Sequence, residues 1–137
     1  MKNLILVAFI LIAFTSFGQN KKSEIVQYGI EVKRYYEQDI KNGETKPSLF
    51  KEEFFNFKGE LVETKEYSIK DKKVVVWIKY KYDFDGNTIE EQELNEKGEQ
   101  KSKMVDKFEK GLRVERLYYD DKDRVVKKRT YTYDFRK

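Results

Sequence analysis

The sequence predicts an all-β fold, an antiparallel meander of about eight strands, built from hairpin repeats of 12–13 residues into one curled or open sheet. Turn signals recur at a nearly fixed spacing, and the segments between them are rich in β-branched and aromatic residues. The turn markers are Gly43, Gly59, Lys72, Gly86, Gly98, Gly111 and Asp123. From Gly59 onward the markers lie 12 to 14 residues apart, which suits one strand and one short turn. Helical-hairpin repeats need about 34 residues, so this period excludes them.

The first 18 residues predict a secretory signal peptide. Lys2 precedes the apolar run Leu4–Phe14, and small residues follow up to Gly18. The run is shorter than the roughly 20 residues that a membrane-spanning helix needs. We therefore expect a signal peptide over residues 1–18 and a single β-repeat domain over residues 19–137. The domain is expected to be exported to the periplasm or the outside of the cell, with no transmembrane segment in the mature chain.

The first segment of the expected domain, residues 24–37, fits two kinds of secondary structure. Alternate residues from Val26 fit a strand face, whereas a stripe that begins at Ile25 fits a helix. We favour the strand because Val, Ile and Tyr are frequent and because Gly29 would weaken a helix.

Residues 74–82 give the clearest strand pattern, with apolar residues at every second position. One face carries Val74, Val76, Ile78, Tyr80 and Tyr82, and the other carries Val75, Trp77, Lys79 and Lys81. Residues 90–97 are polar on both faces, which predicts a short edge strand or a poorly ordered segment. Residues 124–134 return to alternating Val, Tyr and polar residues, as expected of a last strand.

The stretch "YDFDGNTIEE" has the acid spacing of a calcium-binding loop around Asp83. Gly86 stands at the fourth position of that loop and Leu94 at the twelfth, where glycine is needed at the sixth position and glutamate at the twelfth. We therefore interpret Asp83 as a turn residue whose side chain accepts backbone N–H groups, and we expect no metal site. The same slot is occupied by Asn56, Asn95, Glu109 and Asp120. The stretch "YDDKDR" is similarly acid-rich, with Asp120, Asp121 and Asp123, and we expect Lys122 or Arg124 as its counter-ion.

Several units end in an aromatic residue, then Asp, Asn or Glu, and then a turn. These pairs are Phe55-Asn56, Tyr82-Asp83, Phe108-Glu109, Tyr119-Asp120 and Tyr133-Asp134. They resemble the YD repeat of the RHS family, and "FFNFKGELVETKEYS" is similar to the MORN-like variant repeats of small secreted or antitoxin-type proteins. The ending "SFGQ" of the apolar segment resembles that of small exported proteins of Bacteroidota-type bacteria. The resemblance implies a stacked hairpin sheet and implies little about activity.

Composition excludes several kinds of chemistry. The chain has neither cysteine nor histidine, so disulfides and Ser-His or Cys-His nucleophiles are ruled out. Acidic and basic residues alternate along the chain at a net charge of +4, whereas nucleic-acid binders concentrate their basic residues. Adjacent carboxylates such as Glu52 and Glu53 lack an apolar setting that would raise a pKa. We expect no enzyme activity, no catalytic residue, no cofactor and no nucleic-acid partner.

Aromatic residues give the best candidate binding surface, which comprises Trp77, Tyr35, Tyr67 and Tyr119. A row of aromatic rings on an open sheet can stack on sugar rings or pack on a partner protein. The alternative is that these rings form the core. We expect a binding or scaffold module at the cell envelope or outside the cell, with a protein or glycan partner. The alternatives are an immunity or antitoxin-type protein that blocks a partner toxin, and a glycan-binding module that uses an aromatic sheet face.

Overall fold

The structure, a computed structural model, describes residues 22–43 and 46–136. The expected signal peptide over residues 1–18 lies outside the described residues. Eight strands follow one another along the chain: β1 (Val32–Glu37), β2 (Ser48–Phe55), β3 (Leu61–Tyr67), β4 (Val74–Tyr82), β5 (Thr88–Leu94), β6 (Gln100–Glu109), β7 (Leu112–Tyr119) and β8 (Val125–Thr130). They form one antiparallel sheet in the order β1 to β8. The predicted eight-stranded meander is confirmed, and the sheet is open, with β1 and β8 at its edges.

The prediction of a strand over residues 24–37 is wrong in its first half. Residues 22–27 are helical, and β1 begins only at Val32. Gly29 has a φ of +61° and ends the helix: the N–H of Ile30 donates to the carbonyl of Ile25 at 2.9 Å. The N–H of Gly29 donates to the carbonyl of Val26 at 3.3 Å, which completes a Schellman motif. Gly29 therefore stops this helix rather than weakening its interior.

All seven predicted turn markers lie in the left-handed region of backbone conformation, with φ between +60° and +85°. Glycine adopts this conformation freely, and aspartate tolerates it better than most residues do. Lys72 adopts it without either advantage, at a φ of +60°. The recurring marker therefore reports a real backbone requirement at each hairpin.

Four of the hairpins share one turn construction, led by Asn56, Asp83, Asn95 and Asp120. In each, the side-chain Oδ1 accepts the backbone N–H of the residue four positions later, at 2.9 to 3.0 Å. The interpretation of Asp83 as a turn residue is thus confirmed, and Arg124 is the counter-ion of Asp120, at 2.6 Å. We call this construction the Asx hairpin turn.

Glu109 does not belong to this set, contrary to the prediction. It is the last residue of β6 and pairs in register with Leu112 of β7. Only Lys110 and Gly111 lie between these two strands, both at positive φ, so no loop remains for a carboxylate to cap.

The sheet is a single thin layer. Among the described residues, only Ile25 and Leu94 are buried hydrophobic residues, and no large side chain is fully buried. Residues 90–97, predicted as a short edge strand or a poorly ordered segment, instead include most of β5, an interior strand of the sheet. Leu94 at its end supplies much of the little core that exists. Each of the seven strand pairs also carries one register shift, and such bulges increase local twist.

Candidate binding surface

Strand register divides the predicted aromatic set between the two faces of the sheet. Residues paired across antiparallel strands project to the same side, and neighbours along a strand project to opposite sides. Trp77 pairs with Lys65, and Lys65 pairs with Glu52. We call this side the Trp77 face. The opposite side carries Val76, Ile78, Tyr80 and Tyr82, and we call it the Tyr80 face.

Trp77 is half-buried under its own neighbours. The ammonium of Lys65 lies 4.3 Å from the Trp77 ring centroid, and that of Lys79 lies 5.8 Å away. The indole Nε1 donates a hydrogen bond to Glu63 Oε1 at 2.7 Å. A Cβ placed on Gly98 would lie 3.4 Å from the ring, so the β5–β6 turn covers one of its edges. A ligand that stacks on Trp77 would therefore have to displace a lysine side chain.

Tyr67 lies on the Trp77 face, where its hydroxyl donates to Glu52 Oε2 at 2.6 Å. Burial, followed by this hydrogen bond to a carboxylate, raises the pKa of Tyr67 to about 12. The same hydrogen bond, with a second from Arg34 Nε, lowers the pKa of Glu52. Tyr67 is therefore a neutral hydrogen-bond donor throughout the physiological pH range.

Tyr119 also lies on the Trp77 face, because Lys79, Gln92, Lys103 and Tyr119 are successive register partners. The ammonium of Lys103 lies 4.5 Å from the Tyr119 ring centroid and forms an ion pair with Asp123 of the next turn. The Asp123 hydrogen bond raises the pKa of Lys103, so this cation stays charged beside the ring. Tyr119, like Trp77, is therefore accompanied by a lysine.

Tyr35 lies on the Tyr80 face, because it pairs with Lys51, which pairs with Glu66, which pairs with Val76. Its hydroxyl donates to Glu53 Oε2 at 2.7 Å. Burial would raise the pKa of Glu53, but hydrogen bonds from Lys51 and Tyr35 outweigh it and lower that pKa. The structure therefore brings Trp77, Tyr67 and Tyr119 to one face and separates Tyr35 from them.

Sequence reasoning missed a charged cluster on the Tyr80 face. Arg116 Nε and Nη2 donate to Asp106 Oδ1 and Oδ2, each at 2.6 Å, and these bonds raise the pKa of Arg116. Arg113 Nε lies 2.9 Å from Asp106 Oδ2 but makes no aligned hydrogen bond. The Asp106 side chain is only 6% exposed. The sequence offered one signal for this cluster, an acid on β6 followed by two arginines on β7. That signal predicts an ion pair only when the register of the two strands is known.

This cluster lies at one end of a concavity of about 300 Å³. Its wall includes Tyr80, Tyr82, Glu91 and Met104. Burial raises the pKa of both tyrosines, so their hydroxyls stay neutral. The Tyr82 hydroxyl already donates to the Leu61 carbonyl at 2.7 Å, so Tyr80, Glu91 and Arg113 are among the polar groups of this wall that remain to meet a ligand.

No protein-family model, no curated protein and no solved structure matches the chain. The likeness to YD and MORN-like repeats therefore stays a prediction. Among the described residues, no helix combines the length and apolar character needed to span a bilayer.

Proposed function

We propose that this chain is an exported, non-enzymatic β-repeat protein that acts as a binding or scaffold module at the cell envelope or outside the cell. The observation that carries the proposal is the single-layer sheet, in which no large side chain of the described residues is fully buried. A sheet normally buries one face against a second layer. Here, within the described residues, no second layer covers either face, and both faces carry aromatic residues, a type enriched at interfaces.

The carboxyls whose pKa is shifted are suited to a structural role and not to that of a general acid. Among the described residues, every carboxyl with a resolved shift has a pKa below its ordinary value, because hydrogen bonds stabilise the charged form. These residues are Glu52, Glu53, Asp71, Asp83, Asp120 and Asp123. A general acid needs a raised pKa, so these groups are better suited to holding strands and turns together than to proton transfer.

A glycan-binding module is the second candidate, and the environment of Trp77 favours it. Trp77 offers a large ring between two lysines, Lys65 and Lys79, beside the acceptor Glu63. Such a group suits acidic sugars, whose rings stack on the indole while the carboxylates pair with lysine. On this account the lysines move from the ring to the ligand when it binds.

Trp77 is the only tryptophan in the chain, so its fluorescence reports on this face alone. The predicted mature chain, residues 19–137, is titrated with oligogalacturonate and with a neutral glucan, and both emission and newly formed reducing ends are measured. We expect an emission shift with the acidic sugar and its loss in Lys65→Glu, with Lys72→Glu on the β3–β4 turn as the matched control. An unchanged emission would remove the glycan candidate, and newly formed reducing ends would contradict the non-enzymatic proposal.

A further inference from the structure

Strand β8 leaves one edge of the sheet open. It is the last strand in the sheet order, and all six of its residues are exposed, so no described segment covers it. Tyr131, which follows β8, donates its N–H to the carbonyl of Val114 at 3.0 Å. Antiparallel strands pair in this way at every second residue, so the backbone groups of Arg129 also face β7. The N–H and carbonyl groups of Lys128 and Thr130 therefore point to the open edge, where a ninth strand would pair with them.

The register sets two like charges opposite each other at this edge. Arg129 pairs with Arg116, and Arg116 pairs with Asp106. Asp106 holds Arg116 through two hydrogen bonds of 2.6 Å, whereas Arg129 has no carboxylate partner among the described residues. Like charges directly opposite each other destabilise an antiparallel pair. The row therefore runs acid, arginine, arginine from β6 to β8, and a carboxylate on a ninth strand would complete it.

Lys127 lies two residues before Arg129 on the same Tyr80 face and is also unpaired. The Lys127 ammonium lies 5.0 Å from the Tyr118 ring centroid, and the guanidinium carbon of Arg129 lies 5.4 Å from it. No described carboxylate pairs with Lys127. By contrast Lys128, on the Trp77 face, is held by Glu115 at 2.6 Å. The open edge therefore presents two cations at alternate positions of one face, both without an acid.

The last part of the chain, which includes β8, has an excess of cations. Residues 100–136 contain twelve Lys or Arg residues and seven Asp or Glu residues. Several of these acids are already held, such as Asp123 by Lys103 and Asp120 by Arg124. Among the described residues of this range, five cations but only two acids lack an ion-pair partner. The cations are Lys110, Lys122, Lys127, Arg129 and Arg136, and the acids are Asp121 and Asp134. Charge therefore favours an acidic partner here.

A second copy of this chain does not supply the missing acids. Two copies of β8 would set cations against cations, and the other open edge, β1, carries Lys33 and Arg34 with one acid, Glu37. The strand of this chain that is richest in acids, β5, lies in the interior of the sheet. The cations of β8 thus oppose pairing between copies but leave the edge open to a strand of opposite charge.

We propose that an extended acidic segment of a partner protein pairs with β8 as a ninth strand of the sheet. Its backbone bonds to the outward N–H and carbonyl groups of Lys128 and Thr130, and its carboxylates at alternate positions face Arg129 and Lys127. The residue between the two acids faces Lys128, which Glu115 already holds, so an uncharged residue fits there. This assignment rests on the proposed binding role, to which it gives a site and a class of partner.

The test uses the predicted mature chain and a short fluorescent peptide with blocked ends, in which glutamate alternates with threonine. Fluorescence polarisation measures binding, and amide hydrogen exchange is followed at Lys128 and Thr130. One control peptide has glutamine in place of glutamate. In a second, N-methyl groups on the threonines remove the N–H groups that would face β8 while the carboxylates stay. We expect only the unmodified peptide to bind and to slow exchange at both amides.

Arg129→Glu is the decisive variant, and Lys33→Glu on β1 is the matched control, because each reverses one charge at an open edge. We expect Arg129→Glu to weaken binding of the peptide about fivefold or more, since an opposite-charge pair becomes a like-charge pair. Lys33→Glu lies at the far edge and should change binding by less than about twofold. The urea midpoint of Arg129→Glu should not fall, because the new acid faces Arg116 in the register.

The outcomes separate the alternatives. Binding that needs glutamate and the threonine N–H groups, and that weakens in Arg129→Glu, supports the proposal. Absence of binding overturns it, as does equal binding by the parent chain and Arg129→Glu. Equal binding of the N-methylated peptide also overturns it, because the contact is then made by charge alone. If the peptide fails while oligogalacturonate still shifts the Trp77 emission, the binding role stands without this site; if both ligands fail, that role loses its support as well.

Discussion

Replacement of Asp106 by alanine is expected to destabilise the sheet by about 2–3 kcal/mol. The carboxylate holds Arg116 through two hydrogen bonds of 2.6 Å and lies 2.9 Å from Arg113 Nε. Removal of one partner of a buried ion pair costs about 3–5 kcal/mol. The two arginine side chains are 21% and 35% exposed, so water solvates part of the freed charge and the expected loss falls below that range.

Equilibrium urea unfolding, followed by the fluorescence of Trp77, measures this loss. Glu109→Ala on the same strand is the matched control, because Glu109 and its partner Lys107 are 60% and 65% exposed. An exposed pair of this kind contributes less than about 0.5 kcal/mol. If the unfolding free energies of Asp106→Ala and Glu109→Ala differ by less than about 0.5 kcal/mol, burial does not make the Asp106 cluster more stabilising than an exposed pair, and our reasoning is refuted.

Three further expectations concern the turns and the Trp77 face. Asn95→Ala should lower the unfolding free energy by about 1–2 kcal/mol, because Asn95 Oδ1 accepts two backbone N–H groups. Asn95→Asp should recover only part of that loss, because the aspartate retains this acceptor but sets its second oxygen against the Glu99 carboxylate, to which Asn95 Nδ2 donates at 2.8 Å. Lys110→Asn should raise the unfolding free energy by a few tenths of a kcal/mol or more, and the urea midpoint with it, since Lys110 has a φ of +52° and Asn-Gly is the preferred two-residue hairpin turn. An unchanged urea midpoint in Asn95→Ala or in Lys110→Asn would contradict the turn geometry. The phenol of Tyr67 should titrate near pH 12 by ultraviolet absorbance, and Glu52→Gln should lower that value. Because the folded pKa is raised from about 10, the stabilisation is complete below about pH 10 and is lost as the pH rises towards 12.

Local chemistry made the strand count predictable. Each hairpin needs a residue at positive φ, and that need appears in the sequence as a glycine or aspartate at a regular spacing. Even Lys72, which has no intrinsic preference for that conformation, was located by the spacing alone. For the helix over residues 22–27 the sequence favours the wrong one of two alternatives, because Gly29 weakens a helix only when it stands inside it, and here it stands after the helix and ends it.

Cross-strand relations were not predictable in the same way. Every strand pair carries a register shift, and each shift changes which residues of the next strand share a face. The separation of Tyr35 from Trp77 follows from these pairings, and so does the meeting of Asp106 with Arg116. The alternation of residue types along a single strand predicts neither relation. It shows which residues share a face of that strand, but it does not show which residues they contact on the next strand.

The strands follow the same order in the sheet as in the chain, and this order determines how the sheet folds and where it begins to unfold. Within the part of the chain that the structure describes, each strand makes most of its contacts with the strands before and after it, so stability accumulates along one dimension, as in other repeat proteins. The paired strands are close in sequence, which favours rapid folding by addition of strands to any hairpin that has formed. Unfolding should start at an edge of the sheet. All six residues of β8 are exposed, so β8 can separate from β7 while the interior strands stay paired. Hydrogen exchange would then be fastest in β8 and slowest in the interior strands, and lineages could add or delete one hairpin without redesigning the rest.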